Sequence, residues 1–252
     1  MSDAIELPET NLPWLWDRTI FLTEHGSRAY GTNVAGSDTD YKGVAIPPLK
    51  YHFGYLEQFH QAEFRAPHPD LVIYDIKKFF KLAADCNPSI IEVLFTEKRN
   101  HMIVTPLGQI LLDNRDLFIS KKAKHTFSGY AVSQLKKLLR SKDRPPERIS
   151  PSRQASVEKF GYDTKDAMHT VRLLKMGLEI LRGQGVIVNR PDRAELLAIR
   201  SGAWILNDVL VWAESAIKDL ERLYENSTAI PEAPDRVKLD GICQAMVEAS
   251  FR

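Results

Sequence analysis

The sequence GSRAYGTNVAGSDTD, at residues 26–40, lies between the apolar runs TIFLT at residues 19–23 and VAI at residues 44–46. Short apolar runs that contain β-branched residues are typical of strands, and a Gly-Ser pair is typical of a turn. The pattern therefore predicts a strand, a Gly-Ser turn, a short helix and a second strand that begins with Asp38 and Asp40.

This unit combines two features that suit phosphate chemistry. Gly26 and Ser27 present backbone N–H groups at the start of a helix, where a polyphosphate can bind. Asp38 and Asp40 are two residues apart, so on a strand their carboxylates project from one face and can hold a divalent metal. No Gly-Lys-Ser/Thr sequence follows the turn, which argues against a P-loop NTPase. A simple surface turn rich in Gly, Ser and Asp is the alternative.

The composition is that of an ordinary globular protein. Among the 252 residues, 44% are hydrophobic and 27% charged, and the net charge of +1 gives no global basic signature for nucleic-acid binding. The two cysteines, Cys86 and Cys243, are far apart, which excludes a disulfide framework and a cysteine-based zinc site. The polar N-terminus is unlike a signal peptide, and no apolar run approaches membrane-spanning length. We therefore expect a cytoplasmic protein with no membrane partner.

The secondary-structure pattern changes along the chain. Strand and helix patterns alternate over about residues 18–105, which indicates an α/β or α+β unit with a mixed sheet, and the pattern is helical thereafter. We predict a first domain at residues 12–105 and an α-helical domain at residues 106–252. Residues 49–69 are expected to form a long loop or a weak hairpin, and the three prolines of residues 141–153 predict a surface loop.

A long amphipathic helix is predicted over residues 163–182. Its apolar residues recur every three or four positions and are Ala167, Val171, Leu174, Leu178 and Leu181. Lys165, His169 and Arg172 follow the same spacing about 200° around the helix, which predicts a cationic face opposite the packed one. This face could contact a triphosphate or an RNA backbone, or it could simply be solvated.

The Gly-Ser turn with Asp-x-Asp resembles the active-site signature of the DNA polymerase β nucleotidyltransferase superfamily. In that signature an apolar strand leads into Gly-Ser or Gly-Gly, and Asp-x-Asp begins the next strand; here it follows Ser27 by about ten residues. Ser37 and Gly31 also match common members. Thr39 departs from the pattern, because an aliphatic residue is more usual there.

Several segments are similar to one narrower family, the predicted nucleotidyltransferases of bacteria and phages that include RNA-ligase-associated members proposed to act in RNA repair. The segments are GSRAYGT at 26–32, SDTDYKGV at 37–44, YDIKKF at 74–79, Asn87-Pro88 and DTKDAMHTVRL at 163–173. The similarity spans about residues 20–235, nearly the whole chain. It implies the α+β class, with a polymerase-β-like catalytic domain and its mixed sheet followed by a helical region.

The resemblance also implies a set of metal ligands. A third carboxylate usually completes such a site from a later strand, in an apolar-Asp-apolar context that Tyr74-Asp75-Ile76 fits. Asp75 could instead cap the following helix, and Asp70 is the reserve candidate. Asp38, Asp40 and Asp75 are therefore the expected catalytic residues, and they would hold two Mg²⁺ ions, with Mn²⁺ as an alternative.

The implied reaction is transfer of an NMP from an NTP to an acceptor hydroxyl, with release of pyrophosphate. The residues expected to bind the NTP are Gly26, Ser27, Arg28, Lys165, His169 and Arg172. An RNA 3′ end is the preferred acceptor, and a protein or a small molecule is the alternative. Two non-catalytic functions also stay open, a nucleotide- or RNA-binding module and an interaction protein of a toxin–antitoxin or phage-encoded system. The sequence leaves the oligomeric state open.

Overall fold

The computed structural model describes residues 7–66, 69–140 and 151–252. Most of the loop predicted at residues 141–153 therefore lies outside the described residues. Its last three residues, 151–153, begin a helix, so the prediction of a loop is wrong for them.

The chain divides into two compact units. One unit comprises Met1–Phe118 together with Pro234–Arg252, and the other comprises Ile119–Ala233. The first unit thus combines the chain segments that come before and after the second unit in the sequence. The domains predicted at residues 12–105 and 106–252 stay a prediction.

The first unit is built on a five-stranded sheet. Its strands are β1 (Thr19–His25), β2 (Asp40–Ala45), β3 (Gln61–Phe64), β4 (Asp70–Asp75) and β5 (His101–Val104), in the spatial order β3-β4-β2-β1-β5. β2 and β4 are parallel, whereas the other neighbouring strands are antiparallel. The sheet is therefore mixed, which confirms the predicted α+β class. The loop or weak hairpin expected over residues 49–69 differs from the structure, because a short helix at Lys50–Phe53 interrupts it and β3 pairs with β4, which begins after this segment.

The helices of the described residues follow in chain order. They are α1 (Gly26–Tyr30), α2 (Lys50–Phe53), α3 (Ile76–Ala84), α4 (Pro88–Leu94), α5 (Pro106–Asp113), α6 (Ala123–Leu139), α7 (Pro151–Phe160), α8 (Thr164–Leu181), α9 (Arg193–Arg200), α10 (Leu206–Asn226) and α11 (Arg236–Ala249). In the first unit, α5 packs on β1 and α11 packs on α3.

Side-chain caps explain where the helices beside the sheet begin. Asn87 accepts hydrogen bonds from the backbone N–H groups of Ser89 and Ile90, and Pro88 takes the first helical position of α4. Asp75 accepts a bond of 3.0 Å from the backbone N–H of Lys78 and so begins α3. Each cap satisfies N–H groups that have no partner within the helix.

One face of the sheet buries an apolar cluster. Its buried members are Leu15, Leu22, Ala45, Phe59, Leu71 and Ile73. Trp14 and Trp16, from the segment before β1, pack against this cluster and hold that segment on the sheet. Fully burying each large aliphatic side chain stabilises the fold by about 1.5–3 kcal/mol, which fixes the strands that carry the site.

The cap at Asp75 has a pH-dependent contribution to stability. Burial raises the pKa of the Asp75 carboxyl above its ordinary value, so the folded state holds this proton more tightly than the unfolded state does. We expect the stability of the wild type relative to Asp75→Asn to fall as pH rises from about 4 to the raised pKa, and to be constant above it. Urea unfolding at a series of pH values tests this. Asp75→Ala, which also removes the cap, should lose about 1 kcal/mol.

The second unit is organised around α8. Helices α6, α9 and α10 pack on it, and its predicted apolar residues, from Ala167 to Leu181, are buried. The opposite face is also covered, because Arg172 is buried there with 4% of its surface exposed. The prediction of an exposed cationic face on this helix is therefore wrong at Arg172, since packed helices surround α8.

Within the ranges 7–66, 69–140 and 151–252, no helix is both long and apolar enough to cross a membrane.

Candidate active site

The Gly-Ser turn lies where β1 ends and α1 begins. Gly26 has a φ of +70°, a backbone conformation that L side chains rarely adopt. A Cβ atom at Gly26 would lie 2.1 Å from Oδ2 of Asp40 and 3.1 Å from its carboxyl carbon. Because Gly26 has no side chain, the Asp40 carboxylate can lie directly against the backbone of the turn.

The two aspartates of the motif lie at the same end of the sheet as the turn. Asp40 is the first residue of β2, and its Cα partner on β1 is His25, the residue before Gly26. Asp38 is exposed and precedes the strand, so the prediction of a strand that begins at Asp38 is wrong by two residues. The strand begins later because β1 turns into α1 after His25 and offers no further partner.

The position of the third carboxylate differs most from the prediction made from the sequence. In the parallel pair of β2 and β4, the Cα partner of Asp40 is Asp70, whereas Asp75 pairs with Ala45 at the far end of the strand. Asp75 lies five residues after Asp70 along β4, a distance of about 17 Å at 3.3 Å per residue. The prediction of Asp75 as the third ligand is therefore wrong, because its side chain caps α3. The reserve candidate, Asp70, lies next to Asp40.

The carboxylates at this edge fit a divalent metal that is shared with a substrate. Within the described ranges, no three His, Cys, Asp or Glu side chains are arranged to hold a metal ion by themselves. Mg²⁺, however, is usually bound through one or two carboxylates together with substrate phosphates rather than by a complete protein cage. Asp38 and Asp70 are exposed, so their side chains can change rotamer to meet such an ion. The fit rests on Asp40, whose carboxylate occupies the space of the missing Gly26 side chain.

Two polar side chains of α1 flank the turn. The Ser27 hydroxyl makes no hydrogen bond with another described residue, and its side chain is half-buried. Arg28 is exposed, and its Nε lies 3.8 Å from Oε1 of Glu24. An exposed ion pair of this kind contributes little to stability, so the Arg28 guanidinium can leave Glu24 for an anionic ligand at small cost. The predicted binding roles of Gly26, Ser27 and Arg28 stay predictions.

A buried polar cluster behind the turn was not foreseen from the sequence. The Tyr30 hydroxyl donates to Oε2 of Glu92 at 2.5 Å, and Nε2 of His25 lies 3.4 Å from the same oxygen. All three residues are less than 7% exposed. The cluster joins the end of β1, the end of α1 and the middle of α4, and so fixes both ends of the Gly26–Tyr30 segment.

Loss of the Tyr30 hydroxyl should destabilise the protein. In Tyr30→Phe, the buried Glu92 carboxyl loses a donor, and we expect the free energy of unfolding to fall by about 1–3 kcal/mol. Tyr55→Phe is the matched control, because Tyr55 is 89% exposed and should change stability by no more than about 0.5 kcal/mol. Urea unfolding of both variants compares them, and equal stabilities would contradict a structural role for the cluster.

The three residues predicted on the cationic face of α8 have different surroundings. Lys165 and His169 are half-buried, whereas Arg172 is buried. Lys165 lies in the first turn of α8 and lines a pocket with other cationic residues. The predicted contribution of all three to NTP binding stays a prediction.

The mixed sheet, the Gly-Ser turn and the aspartates beside it define the class of a polymerase-β-like nucleotidyltransferase. The chain belongs to the RNA repair pathway DNA polymerase beta family, whose family model matches residues 9–243. This match confirms the resemblance seen in the sequence. It covers both compact units.

Two individual proteins are also similar to the chain. An uncharacterized 38.9 kDa protein of Enterobacteria phage T4, from the nrdC-mobD intergenic region, is 28% identical over 130 residues. These residues are 48% of this chain and 38% of the phage protein, so the chain matches well under half of that relative's length. A nucleotidyltransferase-like protein from Exiguobacterium sibiricum aligns with a TM-score of 0.30 at 9% identity, over 83% of this chain and 70% of that one.

Proposed function

We propose that this protein transfers a nucleoside monophosphate from an NTP to the 3′-hydroxyl of an RNA and releases pyrophosphate. The observation that carries the proposal is the position of Asp40, whose carboxylate lies against Gly26 while Asp70 is its partner on the next strand. Nucleotidyl transfer needs a surface for phosphate oxygens beside carboxylates that can bind a divalent cation. The turn and the sheet edge together offer both.

The proposed reaction exchanges one P–O bond for another. The acceptor oxygen attacks the α-phosphorus of the NTP, its proton passes to solvent, and the bond from the α-phosphorus to the bridging oxygen of the β-phosphate breaks. Asp38, Asp40 and Asp70 would hold Mg²⁺, as two ions, or Mn²⁺ in its place. When bound, the metal would neutralise charge on the triphosphate and lower the pKa of the acceptor hydroxyl.

Residues of α1 would hold the departing phosphates. The Ser27 hydroxyl and the backbone N–H groups that follow Gly26 are donors of the kind that phosphate oxygens accept. Since α1 spans only five residues, these individual donors would contribute more than the dipole of the helix. Arg28 would exchange its exposed ion pair with Glu24 for a stronger, charge-assisted contact with a phosphate.

The choice of RNA as the acceptor rests on two observations. The family to which the chain belongs is described by its part in an RNA repair pathway. In addition, α6 carries exposed lysines, among them Lys136 and Lys137, that could contact a phosphate backbone. The free cysteines Cys86 and Cys243 suit a reducing compartment, and we place the reaction in the cytoplasm.

The proposal is tested by supplying each NTP, labelled at the α-phosphate, with Mg²⁺ and three acceptor conditions. The conditions are an RNA with a 3′-hydroxyl, the same RNA with a 3′-deoxy end, and no RNA. We expect label to join only the RNA with a free 3′-hydroxyl. Label that stays on the protein would instead indicate nucleotidylation of a protein. Binding of NTP without transfer to any acceptor would favour a non-catalytic binding module.

A further inference from the structure

The helical unit contains a cationic pocket distinct from the Gly-Ser turn. Its volume is about 290 Å³, roughly ten times the share of one water molecule in the liquid. The side chains that matter for binding are Arg153 and Lys159 of α7, Lys165 of α8 and Arg200 of α9. Three helices thus direct four cationic residues to one cavity.

The carboxylate that lines this pocket is already engaged. Oδ1 of Asp163 accepts from the backbone N–H groups of Lys165 and Asp166, and its Oδ2 accepts from Nη1 of Arg153 at 2.5 Å. The same Arg153 nitrogen donates to Oδ1 of Asp166 at 2.7 Å. These carboxylates therefore hold α7 against the start of α8, and the bonds to them use one guanidinium nitrogen of Arg153, Nη1.

The two lysines of the pocket lack carboxylate partners. Neither Lys159 nor Lys165 forms an ion pair with any residue that the structure describes. Nζ of Lys159 lies 4.9 Å from the centre of the Phe160 ring. Burial and the positive charge of Arg153 lower the pKa of Arg200, although arginine stays protonated at neutral pH. Among the described residues, these four cations are opposed by the carboxylates of Asp163 and Asp166, which leaves a net positive charge.

The walls of the pocket are fixed before any ligand binds. The Ser156 hydroxyl accepts a hydrogen bond of 3.1 Å from the backbone N–H of Thr164, and the two side-chain hydroxyls lie 2.9 Å apart. These bonds connect α7 to α8 within the lining of the pocket. A ligand would therefore not have to bring these two helices together, which lowers the entropic cost of binding.

We propose that this pocket binds a phosphate group of a nucleotide or polynucleotide through Lys159, Lys165, Arg153 and Arg200. Arginine donates to phosphate oxygens through a planar fork, and lysine adds a point charge that can follow the ligand. The class of ligand rests on the proposed function, because nucleotidyl transfer uses phosphate-bearing substrates. Binding here, however, requires neither a divalent metal nor turnover.

The test measures binding to the full chain in EDTA, so that carboxylate-bound metal makes no contribution. The probes are inorganic tripolyphosphate and a fluorescent 12-nucleotide oligouridylate. We expect Lys159→Ala/Lys165→Ala to weaken binding of at least one probe about tenfold. If that probe is the oligouridylate, the slope of log K against the logarithm of the salt concentration should also become shallower by about 1.4. This is the value for two lost phosphate contacts with a single strand.

Two control proteins keep the test specific. Lys98→Ala/Lys218→Ala removes the same charge from exposed sites outside the pocket and should leave both affinities within about twofold. Lys159→Arg/Lys165→Arg keeps the charge and should restore binding. If the Lys159→Ala/Lys165→Ala variant binds only tripolyphosphate more weakly, the ligand is the polyphosphate of a nucleotide. If it binds the oligouridylate more weakly, the ligand is a polynucleotide backbone. Wild-type affinity of the Lys159→Ala/Lys165→Ala variant for both probes would overturn the proposal, whatever the transfer assay gives.

Discussion

Gly26→Ala is expected to lower nucleotidyl transfer at least about a hundredfold. The added methyl group would lie 2.1 Å from Oδ2 of Asp40, so the carboxylate must move, and a misplacement of about 1 Å can cost that much in rate. The free energy of unfolding should also fall by about 1–2 kcal/mol, because alanine is strained at a φ of +70°. The measurements are kcat/KM for label transfer to RNA and urea unfolding.

Gly185→Ala is the control that distinguishes the effect of backbone strain from the effect of displacing the Asp40 carboxylate. Gly185 has a φ of +83°, and a Cβ atom there would meet nothing within 4 Å. This variant should lose a similar amount of stability and keep its activity. Equal losses of activity in the two variants would mean that backbone strain, and not the space reserved for Asp40, explains the effect of Gly26→Ala.

The second large effect is expected at Asp70. Asp70→Asn should lower kcat about 10²–10³-fold, because it removes a charge beside Asp40 where a divalent metal would bind. Asp75→Asn should leave kcat within about twofold, since asparagine also caps a helix and Asp75 lies at the opposite end of β4. The two substitutions are chemically identical and lie on one strand, so each serves as the control for the other.

The opposite ranking would contradict this account. If Asp75→Asn abolished transfer while Asp70→Asn did not, the carboxylate set expected from the sequence would be the functional one. The register of β2 against β4 would then have to differ in the active protein. A thermal melt of both variants should accompany the kinetics, because neither substitution is expected to unfold the protein.

The local features of the site could be predicted from the sequence. Gly26 and Ser27 form the turn at the end of a strand, and Asn87 and Pro88 open a helix, because these residues act through their own backbone and nearest neighbours. The start of the next strand is predicted two residues too early, at Asp38, because pairing with β1 decides that it begins at Asp40. The alternation of strand and helix patterns indicates an α/β or α+β unit, and the family resemblance implies the α+β class.

The long-range features could not be predicted in the same way. Whether Asp70 or Asp75 lies beside Asp40 depends on the register of two parallel strands, and an apolar-Asp-apolar context fits a helix cap as well as a strand end. The contact of Tyr30 with Glu92 joins residues 62 positions apart. The spacing of Arg172 in the sequence predicts a surface residue. In the structure its side chain is buried, because α6, α9 and α10 pack around α8.

We propose that Asp38 and Asp40, beside the Gly-Ser turn, support metal-dependent nucleotidyl transfer. The most direct test is the rate at which α-phosphate label from an NTP enters an RNA with a free 3′-hydroxyl, with Mg²⁺ present, for the wild type and for Asp38→Asn and Asp40→Asn. We expect transfer by the wild type that EDTA abolishes, and a fall of at least about 10³-fold in both variants at unchanged thermal stability. Transfer at the wild-type rate by Asp40→Asn would contradict this proposal.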